Sequence, residues 1–510
     1  MKRQIRELAA GAIFLLLALF VLMRCTYLFR NTGRADRQNI LGFYDEKDNS
    51  LDVVFVGPSS VYRYWSPMSA WNLYGFTSYD YSVSAMSRAT VLTAIRDLRR
   101  TQPSAVIVVD VRPFLNVDMV SELDYPERNL MDSIDYSLVR LQGIKYLSDH
   151  STISGQEIGS EYMELAQYHN NKTALAEELN WQLIDNRMHS SPDGEKFYKG
   201  FAIAAKHMYQ SEEKVQLSEG IAEEVSEYYM DILEYGKKNN LSILFVASPK
   251  SLSEQQSEIL NRMQLAAEEY GYGFVDGHCF YKEMDLDFTT DFYNSGHVNI
   301  LGAEKWTEFV GDYLVSEFGL LDHRKDPKYD AWNAVYEQYK VEAQAAVDET
   351  VNLIRDHDDS LRNEEIMRGT EDFASWFHLA NDENISVLVC VDSCSEYAVS
   401  DGNAEMLRWF GIDEACVGID KQYYALYCNR TLHGYTYESQ LEGTIGGLEL
   451  PYMIQKEDVT ILVIDKKQWQ IPRGSICLFV VDNNLNQAVD FVELQIENTG
   501  GVKLRHLAYE

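Results

Sequence analysis

Short apolar runs, each stopped by a turn former or an acid, constrain the fold of this chain more than any other feature. Leu51 to Val56 (LDVVFV) runs into Gly57, and Ala105 to Val109 (AVIVV) into Asp110. Leu241 to Ala247 (LSILFVA) ends at Ser248-Pro249, and Tyr272 to Val275 (YGFV) ends at Asp276-Gly277. Runs so apolar, without the polar alternation of a half-exposed strand, suit strands covered on both faces, and such strands belong to parallel sheets. Helical patterns lie between them, at Ala85 to Leu98 and Glu254 to Tyr270. The alternation predicts a three-layer α/β/α, flavodoxin-like unit over residues 31–322, with functional residues at the carboxyl ends of the strands.

Residues 116–239 interrupt the alternation with a Tyr- and Glu-rich stretch, helical in pattern from Gln216 to Tyr235. It reads as decoration of the sheet's carboxyl edge or as a lid. After Leu321 the charged DHRKDPKYD marks a boundary. Trp332, Val335, Tyr336, Tyr339, Ala343, Ala346 and Ile354 then recur at helical spacing, which predicts a linking helix over residues 323–370 docked by its apolar stripe. From Ile385 strand patterns return (ISVLVCV, CVGI, QYYALYC, VTILVI, ICLFVV), with turns at Asp401-Gly402 and Asn483-Asn484. Residues 371–510 are therefore expected to form a smaller β-rich α+β domain.

At the start of the chain Lys2, Arg3 and Arg6 precede an uncharged stretch from Leu8 to Met23, and Arg24 can snorkel so that the apolar segment reaches Phe29. No small-x-small cleavage pattern follows, so residues 1–30 are expected to be an uncleaved signal anchor. That predicts a single-pass cell-membrane protein with its bulk outside the cytoplasm. The formal net charge is -34, from 79 acidic against 45 basic residues, a field that repels phosphate backbones and argues against nucleic acid as partner. Seven cysteines leave at least one thiol unpaired within the chain. Cys390 and Cys394 in CVDSC lack a second Cys/His half-site, so no metal is expected there.

Chemistry concentrates in two segments. The first strand runs into Gly57-Pro58-Ser59-Ser60, which sets a hydroxyl just past the end of a buried parallel strand. Serine is a weak nucleophile and needs a base within hydrogen-bond reach. The best base is His297 in DFYNSGHVNILGAEKW, placed in a loop before an amphipathic helix, with Asp291 and Asn294 close enough in sequence to orient its ring.

These residues resemble the SGNH/GDSL hydrolases. VFVGPSS is similar to their first block and N-S-G-H before a terminal helix to their last. The similarity covers about Leu51 to Leu314, and its layout looks closest to the membrane-anchored Gram-positive branch, near the teichoic-acid D-alanine transfer protein and the alginate O-acetyltransferases. The resemblance implies that Ser59 is the nucleophile, that His297 is the base, and that the amides of Ser59 and Ser82 form an oxyanion hole. Departures are visible. Asn294 stands where the family often has Asp, Ser82 where it has Gly, and Pro58 before the nucleophile; Asn116 is the nearest candidate for the third-block asparagine. Arg63 and Lys250 fall near the same strand ends and read as solvated surface charges. The C-terminal strands, with Leu407 to Gly411 (LRWFG) and Arg473-Gly474, distantly resemble the interleukin-like EMT-inducer domain.

The expectation is a serine esterase or O-acetyltransferase of cell-envelope glycan, without metal or organic cofactor. Its partners would be a cell-wall or surface polysaccharide and a membrane acyltransferase. The alternative is a catalytically degenerate envelope protein that binds glycan or partner proteins.

Overall fold

The computed structural model describes residues 2–29, 35–115, 129–150, 197–210, 214–394, 398–446, 450–456, 459–464, 467–485 and 487–507. The chain divides into two compact units, Met1–Val351 and Asn352–Glu510.

The first unit opens with α1 (Lys2–Phe29) and α2 (Ala35–Tyr44) and continues with β1 (Val53–Gly57), α3 (Ser59–Tyr64), α4 (Pro67–Tyr74), β2 (Ser78–Ser82), α5 (Arg88–Leu98) and β3 (Val106–Asp110). After α6 (Leu138–Asp149) come α7 (Glu227–Lys238), β4 (Ile243–Ala247), α8 (Glu254–Tyr270), β5 (Gly273–Asp276), β6 (Phe292–Asn294), β7 (His297–Val298) and α9 (Ile300–Phe318). Strands β1 to β5 form one sheet in the order β2-β1-β3-β4-β5, parallel throughout. Every residue of β1, β2, β3 and β4 is buried, which a sheet achieves only when both faces are covered. Helices α4 and α9 pack together, and α7 packs on both α5 and α8. The four apolar runs thus form β1, β3, β4 and β5 of a parallel sheet, and the polar β2 (SYDYS) adds an edge strand that no apolar run marked.

The strand order fixes where a site can lie. The chain leaves β1 for β2 on one side and returns to β3 on the other, so the loops after β1 and β3 part and leave a crevice at their carboxyl ends. Ser59 follows β1 and Arg112 follows β3. Gly57 is required there by close approach, because a Cβ would stand 2.8 Å from Val61 Cγ2 and 2.9 Å from the Asp110 Cβ.

Side-chain caps set the helix ends. Ser87 accepts from the Ala89 amide, so α5 begins at Arg88 rather than at Ala85. Ser253 and Gln256 form a capping box on α8, which ends at Gly271 in the left-handed region. The helix expected from Gln216 to Tyr235 is shorter, beginning at Glu227. Residues 216–226 are held irregular by tertiary bonds: the Ser257 hydroxyl accepts from the Ser218 amide, and Asn261 Nδ2 donates to the Ser218 and Gly220 carbonyls. About half of the expected lid, residues 116–128, 151–196 and 211–213, lies outside the described residues.

The N-terminal segment is one helix, α1, but no described helix is long and apolar enough to cross a membrane. The spanning anchor expected from the sequence is not supported. Its uncharged stretch is closed by Glu7 and Arg24 before it reaches the roughly 20 apolar residues that a span requires.

Helix α10 (Asp330–Arg368) runs across the division between the units. Trp332, Tyr339, Ala343 and Ala346 lie in the core of the first unit, whereas Met367 lies in a core of the second. The second unit contains α11 (Phe373–Ala380), β8 (Ile385–Asp392), α12 (Asp401–Trp409), β9 (Gln422–Cys428), β10 (Thr431–Thr436), β11 (Gln440–Ile445), β12 (Leu450–Lys456), β13 (Thr460–Ile464), β14 (Lys467–Ile471), β15 (Ser475–Asp482), β16 (Gln487–Ile496) and β17 (Val502–His506). Its sheets are antiparallel, β10-β9-β8-β15-β16-β17 and β11-β12-β13-β14. Strand β8 alternates between two cores. Val387, Val389 and Val391 face the one shared with α11, and Leu388 and Cys390 face the one shared with β12, β13 and β14. Two expectations fail here: Asp401-Gly402 is the first turn of α12, with Ser400 at its N-cap, and Cys416 to Ile419 forms no strand. Cys390 and Cys394 are buried in different cores.

Candidate active site

Ser59 is the first residue of α3, behind an extended Pro58 that needs no amide there. His297 opens β7, which pairs with β6 through Asn294. The Ser59 hydroxyl lies 2.7 Å from His297 Nε2, a contact between residues 238 positions apart. On the other side of the ring, Nδ1 lies 3.0 Å from Asn294 Oδ1. An amide oxygen only accepts, so Nδ1 carries the proton and Nε2 is the acceptor for Ser59. Asn294 Oδ1 also accepts from the Gly296 amide at 2.9 Å, which fixes the amide's orientation, and the Tyr293 ring stacks on the imidazole at 5.6 Å.

Burial, and then the charges of Arg112 and Arg63, lower the His297 pKa to about 4. The imidazole is therefore neutral at pH 7 and able to accept a proton, but its charged form is opposed by its surroundings.

Asp291 does not share the imidazole. Its buried carboxylate takes Lys305 Nζ at 2.8 Å, the Asp287 amide at 2.8 Å and the Thr290 hydroxyl at 3.0 Å, and its carbonyl accepts from the Asn299 amide at 2.8 Å. It ties the loop before β6 to α9, and the expectation that it orients His297 is corrected. Of the two candidates for that role, Asn294 is the one in contact.

Ser82 closes β2 in register with Gly57 and is fully buried. Asn39 Nδ2 donates to its carbonyl at 3.0 Å and its hydroxyl at 3.1 Å. The backbone conformation that glycine favours occurs three positions later, at the exposed Ala85, whose φ is +47°. That loop is tied to the nucleophile's helix by Tyr62 Oη, 3.0 Å from Ser84 Oγ, and Asn129 Nδ2 donates to the Ser84 carbonyl at 2.5 Å. Asn129 is buried and its Oδ1 has no hydrogen-bond partner among the described residues. Nothing in the sequence marked either residue: Ala85 lacks the glycine that signals a left-handed backbone, and Asn129 follows no strand-end motif. Asn116 lies outside the described residues.

Arg63 and Lys250 are not the solvated surface charges that their positions suggest. Arg63 Nη1 donates to the Ala202 carbonyl at 2.9 Å, and the guanidinium lies 5.3 Å from the Tyr62 ring centre and 6.0 Å from that of Tyr293. Lys250 is partly buried, and burial with the Arg112 charge lowers its pKa to about 8. Arg112, unmarked by the sequence, donates to the Gly296 carbonyl at 2.5 Å and to the Ser248 hydroxyl at 2.8 Å. Ser248 donates in turn to Asp110 at 2.7 Å. Another imidazole, that of the buried His278, takes the Lys250 amide on Nε2 at 3.2 Å while Nδ1 faces Asp276 at 2.6 Å, so it holds the loop that carries Lys250.

Comparison of the chain with models of protein families, with curated proteins and with solved structures finds no match.

Proposed function

We propose that the first unit is a serine esterase or O-acyltransferase of the SGNH type, acting on an O-acylated glycan of the cell envelope. The observation that carries this reading is the 2.7 Å contact between Ser59 Oγ and a neutral His297 Nε2 at the strand-order switch of a parallel sheet. In the reaction, Ser59 Oγ attacks the ester carbonyl and its proton passes to Nε2. The tetrahedral oxyanion collapses, the alcohol leaves with that proton, and acyl-Ser59 remains. Water or a sugar hydroxyl then attacks the acyl group, its proton returning through His297. The Ser59 amide and either the amide of Ser82, at the end of β2, or that of Ala85, in the loop after it, supply the oxyanion donors. No step calls for a metal or organic cofactor.

Place and partners belong to the same proposal. Helix α1 exposes Leu8, Ile13, Phe14, Leu15, Leu16 and Leu17 behind a basic start, which suits attachment to a cell membrane, and a membrane acyltransferase there is the candidate acyl donor. Full-length protein is expected to hydrolyse 4-nitrophenyl acetate, and Ser59→Ala or His297→Ala to remove about 1,000-fold or more of that rate. Wild-type protein that is inert toward acyl esters yet binds purified wall polysaccharide would replace this reading with the degenerate, glycan-binding one, which the missing carboxylate at Asn294 favours.

A further inference from the structure

The hairpin that carries the base is too small to hold itself in place. Strands β6 and β7 pair Phe292 with Val298 and Asn294 with His297, and they form a two-stranded sheet of their own. A fixed distance between Ser59 and His297 therefore needs tethers from outside the hairpin, and these converge on its turn. Arg112, from the loop after β3, donates from Nη1 to the Gly296 carbonyl at 2.5 Å and from Nη2 to the Ser248 hydroxyl at 2.8 Å. Asp110 steadies that loop, its carboxylate accepting from the Arg112 amide at 2.8 Å and from the Ser248 hydroxyl at 2.7 Å. Tyr64 is buried at the far end of the helix that Ser59 begins. Its hydroxyl donates to the Pro249 carbonyl and lies 3.3 Å from the Gly296 carbonyl, and its ring centre is 5.2 Å from the Arg112 guanidinium. Burial pushes that hydroxyl up to about 12, so it stays a donor wherever a neutral His297 is at work. One carbonyl, a single residue before the imidazole, is thus tied to the nucleophile's helix and to the ends of β3 and β4.

We propose that Arg112 and Tyr64 form a clamp that positions His297 against Ser59 by fixing the Gly296 carbonyl. The inference rests on the esterase reading and adds two positioning residues to it, both acting through the hairpin. The clamp also works against the base that it positions. Arg112 and Arg63 oppose positive charge on the imidazole. Lys206, 5.8 Å from the centre of the Tyr293 ring that stacks on the imidazole, and Lys250, which feels the Arg112 charge, are further cations there. The acids are engaged elsewhere, Asp110 by Ser248 and the Arg112 amide, Asp291 by Lys305. One guanidinium secures the geometry of the base and lowers its basicity.

Variants of the full-length protein test the clamp with two readouts. Tyr64→Phe keeps the ring and removes the hydroxyl, and Arg112→Lys keeps the charge but loses the fork that bonds Gly296 and Ser248 together. In each, kcat/KM for 4-nitrophenyl acetate at pH 8 should fall by about 10- to 100-fold, the loss expected when a base is displaced by up to about 1 Å. The acid limb of the rate profile should stay near 4 in both. Arg112→Met removes the charge as well, and its limb should rise by at least about one pH unit, which the loss of a merely structural side chain would not cause. Because both side chains act on one carbonyl, the double variant Tyr64→Phe/Arg112→Lys should lose little more than the worse single variant, whereas independent effects would multiply. The second readout needs no turnover. The Gly296 amide donates to Asn294 Oδ1 within the hairpin, and its hydrogen exchange, followed by NMR, should quicken about tenfold or more in Tyr64→Phe and in Arg112→Lys. Cleavage at the wild-type rate in both variants, or losses that multiply, overturns the clamp and leaves the esterase reading standing. Quickened exchange in a protein whose wild type cleaves no ester upholds the clamp and removes the esterase reading. Unchanged exchange without cleavage overturns both.

Discussion

Replacing Asn294 by aspartate tests the electrostatics of the site with a change of one atom type. Asn294 Oδ1 stands 3.0 Å from His297 Nδ1, so Asn294→Asp places a carboxylate where the amide now is, with the same reach and the same Gly296 amide to hold it. Opposite charges about 4 Å apart at an effective dielectric near 20 attract by about 4 kcal/mol, and one pH unit corresponds to about 1.4 kcal/mol. His297 now titrates near 4 because burial, Arg112 and Arg63 oppose its charged form. The new carboxylate should therefore move the acid limb of the rate profile upward by about two to three pH units. The neutral imidazole is the active form, so the rate rises with pH through that limb in both proteins. At pH 8, above both limbs, Asn294→Asp should hydrolyse 4-nitrophenyl acetate about tenfold faster or more, because the imidazolium formed in the transition state gains a counter-charge. The assay is kcat/KM from pH 3.5 to 9. A limb that stays near 4, or a variant slower than wild type at pH 8, refutes the view that the environment of His297 limits its basicity.

Other expectations follow from the same geometry. Asp291→Asn breaks the pair with Lys305 and should lower stability to urea by about 2–3 kcal/mol, while the acid limb of the rate profile stays where it is; a moved limb would return Asp291 to the catalytic group. Asp80 is fully buried with neither carboxylate oxygen bonded among the described residues, and burial raises its pKa well above the usual range. The unfolded chain releases that proton near pH 4, so wild-type stability should fall by up to about 1.4 kcal/mol per pH unit above it, relative to Asp80→Asn. Urea unfolding of both proteins at pH 5 and pH 7 checks this, and a gap independent of pH contradicts it. Gly57→Ala forces Val61 or Asp110 to move and so displaces Ser59; kcat should fall more than the melting temperature does, and an unchanged kcat would show that the β1 end has room.

Four strands of the parallel sheet were legible because they are apolar along most of their length, as VVFVG and ILFVA are, whereas the edge strand β2, SYDYS, is as buried as they are but polar and carries no such mark. The Ser59–His297 pair was legible for a related reason: strand ends and the loop before the last helix converge in this strand order, wherever they lie in sequence. What stayed hidden depends on tertiary partners. The Asp291 carboxylate turned to Lys305 because α9 carries that lysine past it, which spacing alone does not reveal. Residues 216–226 carried a helical pattern, yet side chains of α8 captured their backbone groups. Arg63 and Lys250 looked like surface charges because sequence shows neither the rings beside the one nor the burial of the other. Ala85 gave no sign of its left-handed backbone, since only a glycine or asparagine would have marked it. The N-terminal helix formed as expected, but its uncharged stretch stops short of a span.

The central claim is that Ser59 is a nucleophile activated by His297, and active-site labelling measures it most directly. Full-length protein treated with a fluorophosphonate at pH 7.5 and digested for mass spectrometry should carry the phosphonyl group on Ser59. Labelling should disappear in Ser59→Ala and slow at least about 100-fold in His297→Ala. A wild-type protein that stays unlabelled, or a label that persists unchanged in Ser59→Ala, would contradict the account.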